Sequence, residues 1–267
     1  MTSDVSVESE QLEPGLVELF KISDEWLRRT GMSTPDPAEG SSLLEDDRAT
    51  GRYAMSHAVV SSLCTAVDDF RAVGALLVNA RMIHTSAPFT LLRAALENAA
   101  TAVYLLGPTD RQARIERRLK LQWADYLDAE KAREVMGKAD AARHKARKQK
   151  LQDTARSAGL PMKTVTELLA RPSGYAAIIE EAGKTAFGPH GAIATVMWMA
   201  DSGIAHGRTW ANIAIFERQE HESARDGFVD VCLSSSQERI YQHAQITAMM
   251  TKIGWRLLDR SAAPPPS

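Results

Sequence analysis

The chain has little with which to build a redox or metal centre. Its two cysteines, Cys64 and Cys232, are isolated among apolar neighbours. That excludes a disulfide framework or a cysteine zinc site and implies a reducing, cytoplasmic setting. Aromatic residues are few and β-branched runs are scarce, which disfavours a sheet-based fold. No apolar run approaches the ~18 residues of a membrane-spanning helix, so no membrane association is expected. The start, MTSDVSVESEQ, lacks the basic and apolar regions of a secretion signal. A glycine-rich phosphate loop, HExxH, CxxC and GxSxG are all missing, which disfavours nucleotide hydrolysis, zinc proteolysis and hydrolase-type acyl transfer. No metal and no cofactor is expected.

What is present favours helices. Alanine, leucine and arginine are abundant, with more arginine than lysine, the usage of a GC-rich bacterial genome. Charge is unevenly placed. Residues 1–50 carry twelve acidic against four basic residues, whereas 109–150 carry thirteen basic against seven acidic. Such asymmetry marks either a partner surface or solvated helical faces.

The organising stretch is Ala87–Gly107, APFTLLRAALENAATAVYLLG, apolar almost all round with two charges, Arg93 and Glu97, one turn apart. Thr101 and Tyr104 extend their stripe. Ala192–Ala205, AIATVMWMADSGIA, is the second nearly apolar segment and reads as the second buried helix, neighbouring the first. On it Thr195, Met199, Ser202 and His206 share a face, with Asp201 nearby.

Around these, a first helix opens at Pro14 and ends at Gly31. One long helix is expected over 45–84, and another from a capping box at Thr109–Gln112 to about Met136. Residues 138–158 read as an exposed, charged helical arm with almost no apolar side. Shorter helices follow near 164 and over 173–182. Residues 213–217 and 228–233 fit two short strands, although a helical reading is nearly as good. A final helix runs from Ser234–Glu238 to about Arg260. The expectation is therefore an all-α bundle of about seven or eight helices, with room for one short β-hairpin insertion near 213–233. Residues 1–12 and 261–267 are expected to be disordered, with 13–260 forming one domain.

Packing the two apolar helices together would gather Arg93, Glu97, Tyr104, Asp201, Ser202 and His206 into one polar cluster. Such a cluster either pins helix register or binds a ligand. Glu97 and His206 are its candidate catalytic pair. Ser202 and His206 sit on one helix and are poorly placed as nucleophile and base, and no oxyanion-binding turn is visible. The Glu-x-x-His pairs of di-iron bundles are missing. His57, Cys64 and Asp68, at heptad-like spacing, read as satisfied polar groups on a helix face. The basic run Arg143–Lys150 could touch phosphates, but it has no aromatic residue for stacking bases, so nucleic acid is not favoured.

The pairing of LLRAALENAATAVYLL with WMADSGIAHG resembles a group of uncharacterised bacterial all-helical proteins in which an Arg-x-x-x-Glu helix precedes a Ser-x-x-x-His segment. The matching residues are Arg93, Glu97, Ser202 and His206. The arrangement is also distantly similar to HEPN bundles, many of which cut RNA with an Arg four to six residues before a His. Here Asp201 stands where that Arg would fall, and the scissile phosphate would lose its charge partner unless Arg93 or Arg117 took the role from another helix. The resemblance implies a helical bundle. The expected function is binding of a small molecule or a protein, with a homodimer as one arrangement. The alternatives are a HEPN-like ribonuclease or RNA binder, and a small-molecule enzyme using a Glu97/His206 pocket.

Overall fold

The computed structural model describes residues 5–6, 12–31, 36–170, 174–222 and 225–265. Among them are eleven α-helices and two small antiparallel strand pairs. The helical class agrees with expectation, and the helix count exceeds it.

Helices α1 (Pro14–Gly31), α2 (Ser42–Thr50) and α3 (Met55–Gly74) come first. The single long helix expected over 45–84 is broken. Gly51 takes a left-handed φ of +54° after α2, and a short 3-10 turn, Gly51–Tyr53, redirects the chain. The break is pinned by Asp47, whose carboxylate accepts from Ser56 N at 2.9 Å and Ser56 Oγ at 2.6 Å. A π-helical turn, Ala75–Asn79, ends α3. Beyond it β2 (Met82–Ile83) pairs with β1 (Val5–Ser6). The disorder expected over 1–12 otherwise falls mostly outside the described residues.

Helix α4 (Ala87–Leu106) is the central element, as its composition requires. It packs against α3, α8 (Tyr175–Phe187), α9 (Ala192–Ala205) and α11 (Gln237–Ala262). Gly254 of α11 sits over Leu63 and Ala102, where a Cβ would come within 2.8 Å of the Leu63 side chain. Helices α8 and α9 meet at Gly183 and Gly191, where a Cβ on Gly191 would lie 2.6 Å from the Gly183 carbonyl carbon.

Helix α9 is less buried than expected. Ala194, Ala200, Asp201, Gly203 and Ile204 face the bundle, but Val196 is 61% and Met199 50% exposed. Short α10 (Thr209–Ile215) packs on α9 and leads into a hairpin of β3 (Glu217–Glu222) and β4 (Val229–Ser234). A hairpin forms in this region as one reading expected, but its first strand is Glu217–Glu222 in place of 213–217, because 213–215 complete α10.

A second, smaller core lies beside the first. Helix α5 (Arg111–Val135), capped by Asp110, carries Ile115, Leu119 and Trp123 into it. Gly137, at φ +67°, stops α5 and separates it from α6 (Ala141–Ser157), itself capped by Asp140. The arm expected over 138–158 is therefore a distinct docked helix. Leu151 and Ala155 are fully buried against α5 and α7 (Met162–Ala170). Its scarcity of apolar residues concealed this, because two on one side suffice to seat it. No helix among the described residues is long and apolar enough to cross a membrane.

Candidate functional site

The polar stripe of α4 meets α9 in antiparallel register. Glu97 Oε1 accepts from Trp198 Nε1 at 2.7 Å and from Arg93 Nη2 at 2.9 Å. One turn toward the start of α4, Arg93 lies close enough to Asp201 to stabilise its charge. Asp201 is held from a third helix, because its Oδ1 and Nδ1 of His243 on α11 share a hydrogen bond of 2.6 Å. Both members of that pair are sealed, at 1% and 2% exposure. The edge-on ring of Phe89 closes over the imidazole.

Burial pushes the Asp201 carboxyl above its ordinary range, against the downward pull of the His243 hydrogen bond and of Arg93. The carboxylate of Glu97 and the guanidinium of Arg93 both act on the phenol of Tyr175, the half-exposed first residue of α8, whose proton is held more firmly chiefly because of burial. The site thus has a closed floor, Asp201–His243, and an open rim of Arg93, Glu97, Trp198 and Tyr175. Arg93 Nε of this rim is buried with no acceptor among the described residues, and so is Thr195 Oγ1 of α9.

The residues singled out from the sequence separate into two groups. Arg93, Glu97 and Asp201 come together. Tyr104 is drawn to α5 instead, where Arg117 stacks over its ring at 4.4 Å and donates to its carbonyl at 2.8 Å. Ser202 is half-buried, and His206 stands exposed at the C-terminal end of α9. The expected pairing of Glu97 with His206 does not form. Trp198 occupies the carboxylate, and the buried histidine is His243. Trp198 hid within an apolar run, yet its indole N–H is a donor that burial obliges to find a partner. His243 had a signal too, because it shares the buried face of α11 with Ile240, Ala244 and Thr247.

Chemically, an Asp–His pair can hold an imidazole as a base. Among the described residues no serine, threonine or cysteine side chain is hydrogen-bonded to the His243 ring, and Thr247 Oγ1 donates to the backbone carbonyl of His243. No group of three or more His, Cys, Asp or Glu placed to hold a metal occurs among the described residues. A surface groove of about 530 Å³ between α1 and α3 lies elsewhere, and its charged wall, Arg71 and Asp24, is already ion-paired.

In the basic run, Arg143, Lys145, Lys148 and Lys150 are exposed. His144 and Arg147 turn inward, onto the rings of Trp123 and Tyr126. Comparison with protein-family models, curated proteins and solved structures yields no match to this chain.

Proposed function

We propose that the protein binds a small polar ligand at the α4–α9 rim and is not an enzyme. The observation that carries this reading is the buried, unaccepted Nε–H of Arg93 beside Glu97, whose Oε1 already accepts from Trp198 and from Arg93 Nη2. Orphaned buried donors are rare in folded proteins and call for an acceptor. The ligand fitting this rim has an acceptor oxygen for Arg93 and a flat apolar part to lie against Trp198 and Tyr175. Catalysis is disfavoured because the acid–base pair, Asp201 and His243, is sealed from solvent. For the same reason a ribonuclease or small-molecule enzyme centred on exposed His206 has less support, since no carboxylate meets that histidine among the described residues. Native mass spectrometry of the purified protein tests the reading. Wild type should retain a small-molecule adduct that Arg93→Gln loses. Bare wild-type protein under gentle desolvation would refute it.

A second observation favours self-association. Ile193, Val196 and Met199 of α9, Trp210 and Ile213 of α10, and Phe228, Val229 and Val231 of the hairpin are all at least 40% exposed. Together they present on the order of 700–900 Å² of apolar-residue surface, close to one side of a standard interface. A lone two-stranded hairpin is marginal in water. The partner proposed is a second copy, and Val196→Glu should convert a dimer to monomer in sedimentation. A wild-type monomer at tens of micromolar would overturn this.

A further inference from the structure

A different part of the molecule holds cations with no anions to match. Arg118 of α5 is 8% exposed. It donates to the Ala54 carbonyl at 3.3 Å and to Gln122 Oε1 at 3.1 Å. No carboxylate lies within ion-pair distance of it among the described residues. The acids whose fields reach it are already engaged: Asp47 accepts from Ser56, and Asp125 accepts from the Gln122 amide. Its guanidinium is pushed below its ordinary range because burial disfavours the charge. Burying a cation without a counter-ion is costly, so an anion supplied from outside would stabilise it.

The surroundings are built of donors. Arg147 of α6 stacks over Tyr126 at 4.7 Å from the ring centre, and its Nη1 is buried with no acceptor. Tyr126 Oη lies 3.4 Å from Tyr53 Oη, so one proton serves the contact and the other hydroxyl proton is left over. Tyr53 is 3% exposed, and burial with Tyr126 beside it pushes its phenol up to about 12, so it stays protonated. Arg52 stands 5.8 Å over the Tyr53 ring. Three guanidinium groups thus stand around one tyrosine pair, with spare N–H and O–H donors among them and the carboxylates of Asp47 and Asp125 beyond ion-pair distance of Arg118.

We infer that Arg118, Arg147, Tyr53 and Tyr126, at the junction of the Gly51–Tyr53 turn with α5 and α6, form a binding site for a phosphate-class oxyanion. An acceptor-only ligand matches the unused donors of Arg147 and Tyr53 and supplies the close counter-charge Arg118 lacks, and guanidinium groups suit tetrahedral oxyanions. The ion arrives as free phosphate or as the phosphate of a small monoester.

The experiment is titration calorimetry of the full-length protein with inorganic phosphate and, separately, with glycerol phosphate, at constant ionic strength set by chloride. Melting curves and ³¹P line widths are recorded alongside. Saturable binding with a raised melting temperature is expected for at least one of the two. Binding of both means that the ester side faces solvent, whereas binding of phosphate alone means a closed site. Arg147→Gln should weaken binding tenfold or more with an unchanged melting temperature in the absence of phosphate. Tyr53→Phe should weaken it severalfold. These two variants leave the buried Arg118 in place. Failure of both ligands to bind wild type, or equal affinities in wild type and Arg147→Gln, would overturn the assignment.

Discussion

Arg93 and Arg118 are both drawn into the bundle, and they meet different company. Arg93 finds a carboxylate one turn along its own helix, an indole beyond it and a second carboxylate on α9. Arg118 finds a carbonyl and an amide within hydrogen-bond reach, while Asp125, Asp47 and two phenols act on it only from beyond ion-pair distance. The α4–α9 region therefore neutralises its own charge and keeps only a donor or two in reserve. The α5–α6 region does not. A buried charge paired within one chain is a structural commitment, and one left unpaired is an opening for a ligand.

The largest effect expected is at Glu97. Glu97→Ala removes the acceptor of both Arg93 and Trp198 and should cost about 3 kcal/mol in denaturant melts, the lower end for a broken buried pair because Arg93 is 26% exposed on its side chain. A loss under about 1 kcal/mol would mean that the cluster is wet. Next comes the second core. Leu151→Ala opens a cavity under α6 and should cost about 2–3 kcal/mol. An unchanged midpoint would show α6 to be undocked. Gly191→Ala forces backbone against backbone at the α8–α9 crossing and should cost about 1–3 kcal/mol.

A pH series separates the two regions further. Folded Asp201 keeps its proton to higher pH than its ordinary value of 3.8, owing to burial. The folded state then binds more protons than the unfolded chain in the window above 3.8. That contribution to stability is present in acid and is lost as pH rises through the raised value. Asp201→Asn cannot ionise, so its denaturation midpoint should fall less than that of wild type as pH is raised above 3.8. Parallel curves would mean that Asp201 ionises normally. The smallest effect is on the outer face of α6, where Arg143→Gln with Lys148→Gln should move stability by no more than about 0.5 kcal/mol.

Much of this was legible in the residues. The near-absence of polar groups in 87–106 made that helix central, and two charges one turn apart on it marked the site. The apolar character of 192–205 predicted its packing partner. Three things were not legible. Trp198 reads as core until a carboxylate is placed opposite its N–H. His243 belongs to a helix whose side facing the cluster depends on the path of the chain. The break at Gly51 is invisible to periodicity, because Leu43 and Thr50 before it keep helical spacing with Tyr53 after it. In each case the deciding contact is between residues far apart in sequence or rests on one backbone dihedral angle.

That break at Gly51 has a consequence for how the molecule comes apart. Ending α2 there lets it place Leu43 in the main core while Asp46, 1% exposed, receives Arg114 Nε of α5 at 2.6 Å. Ala49, on the same helix, packs against the smaller core, and Tyr53, three residues past the end of α2, lies within it. One nine-residue helix is thus riveted into both hydrophobic clusters. Neither can open without tearing the other, so the two cores should melt as a single cooperative unit, with one calorimetric peak in place of two.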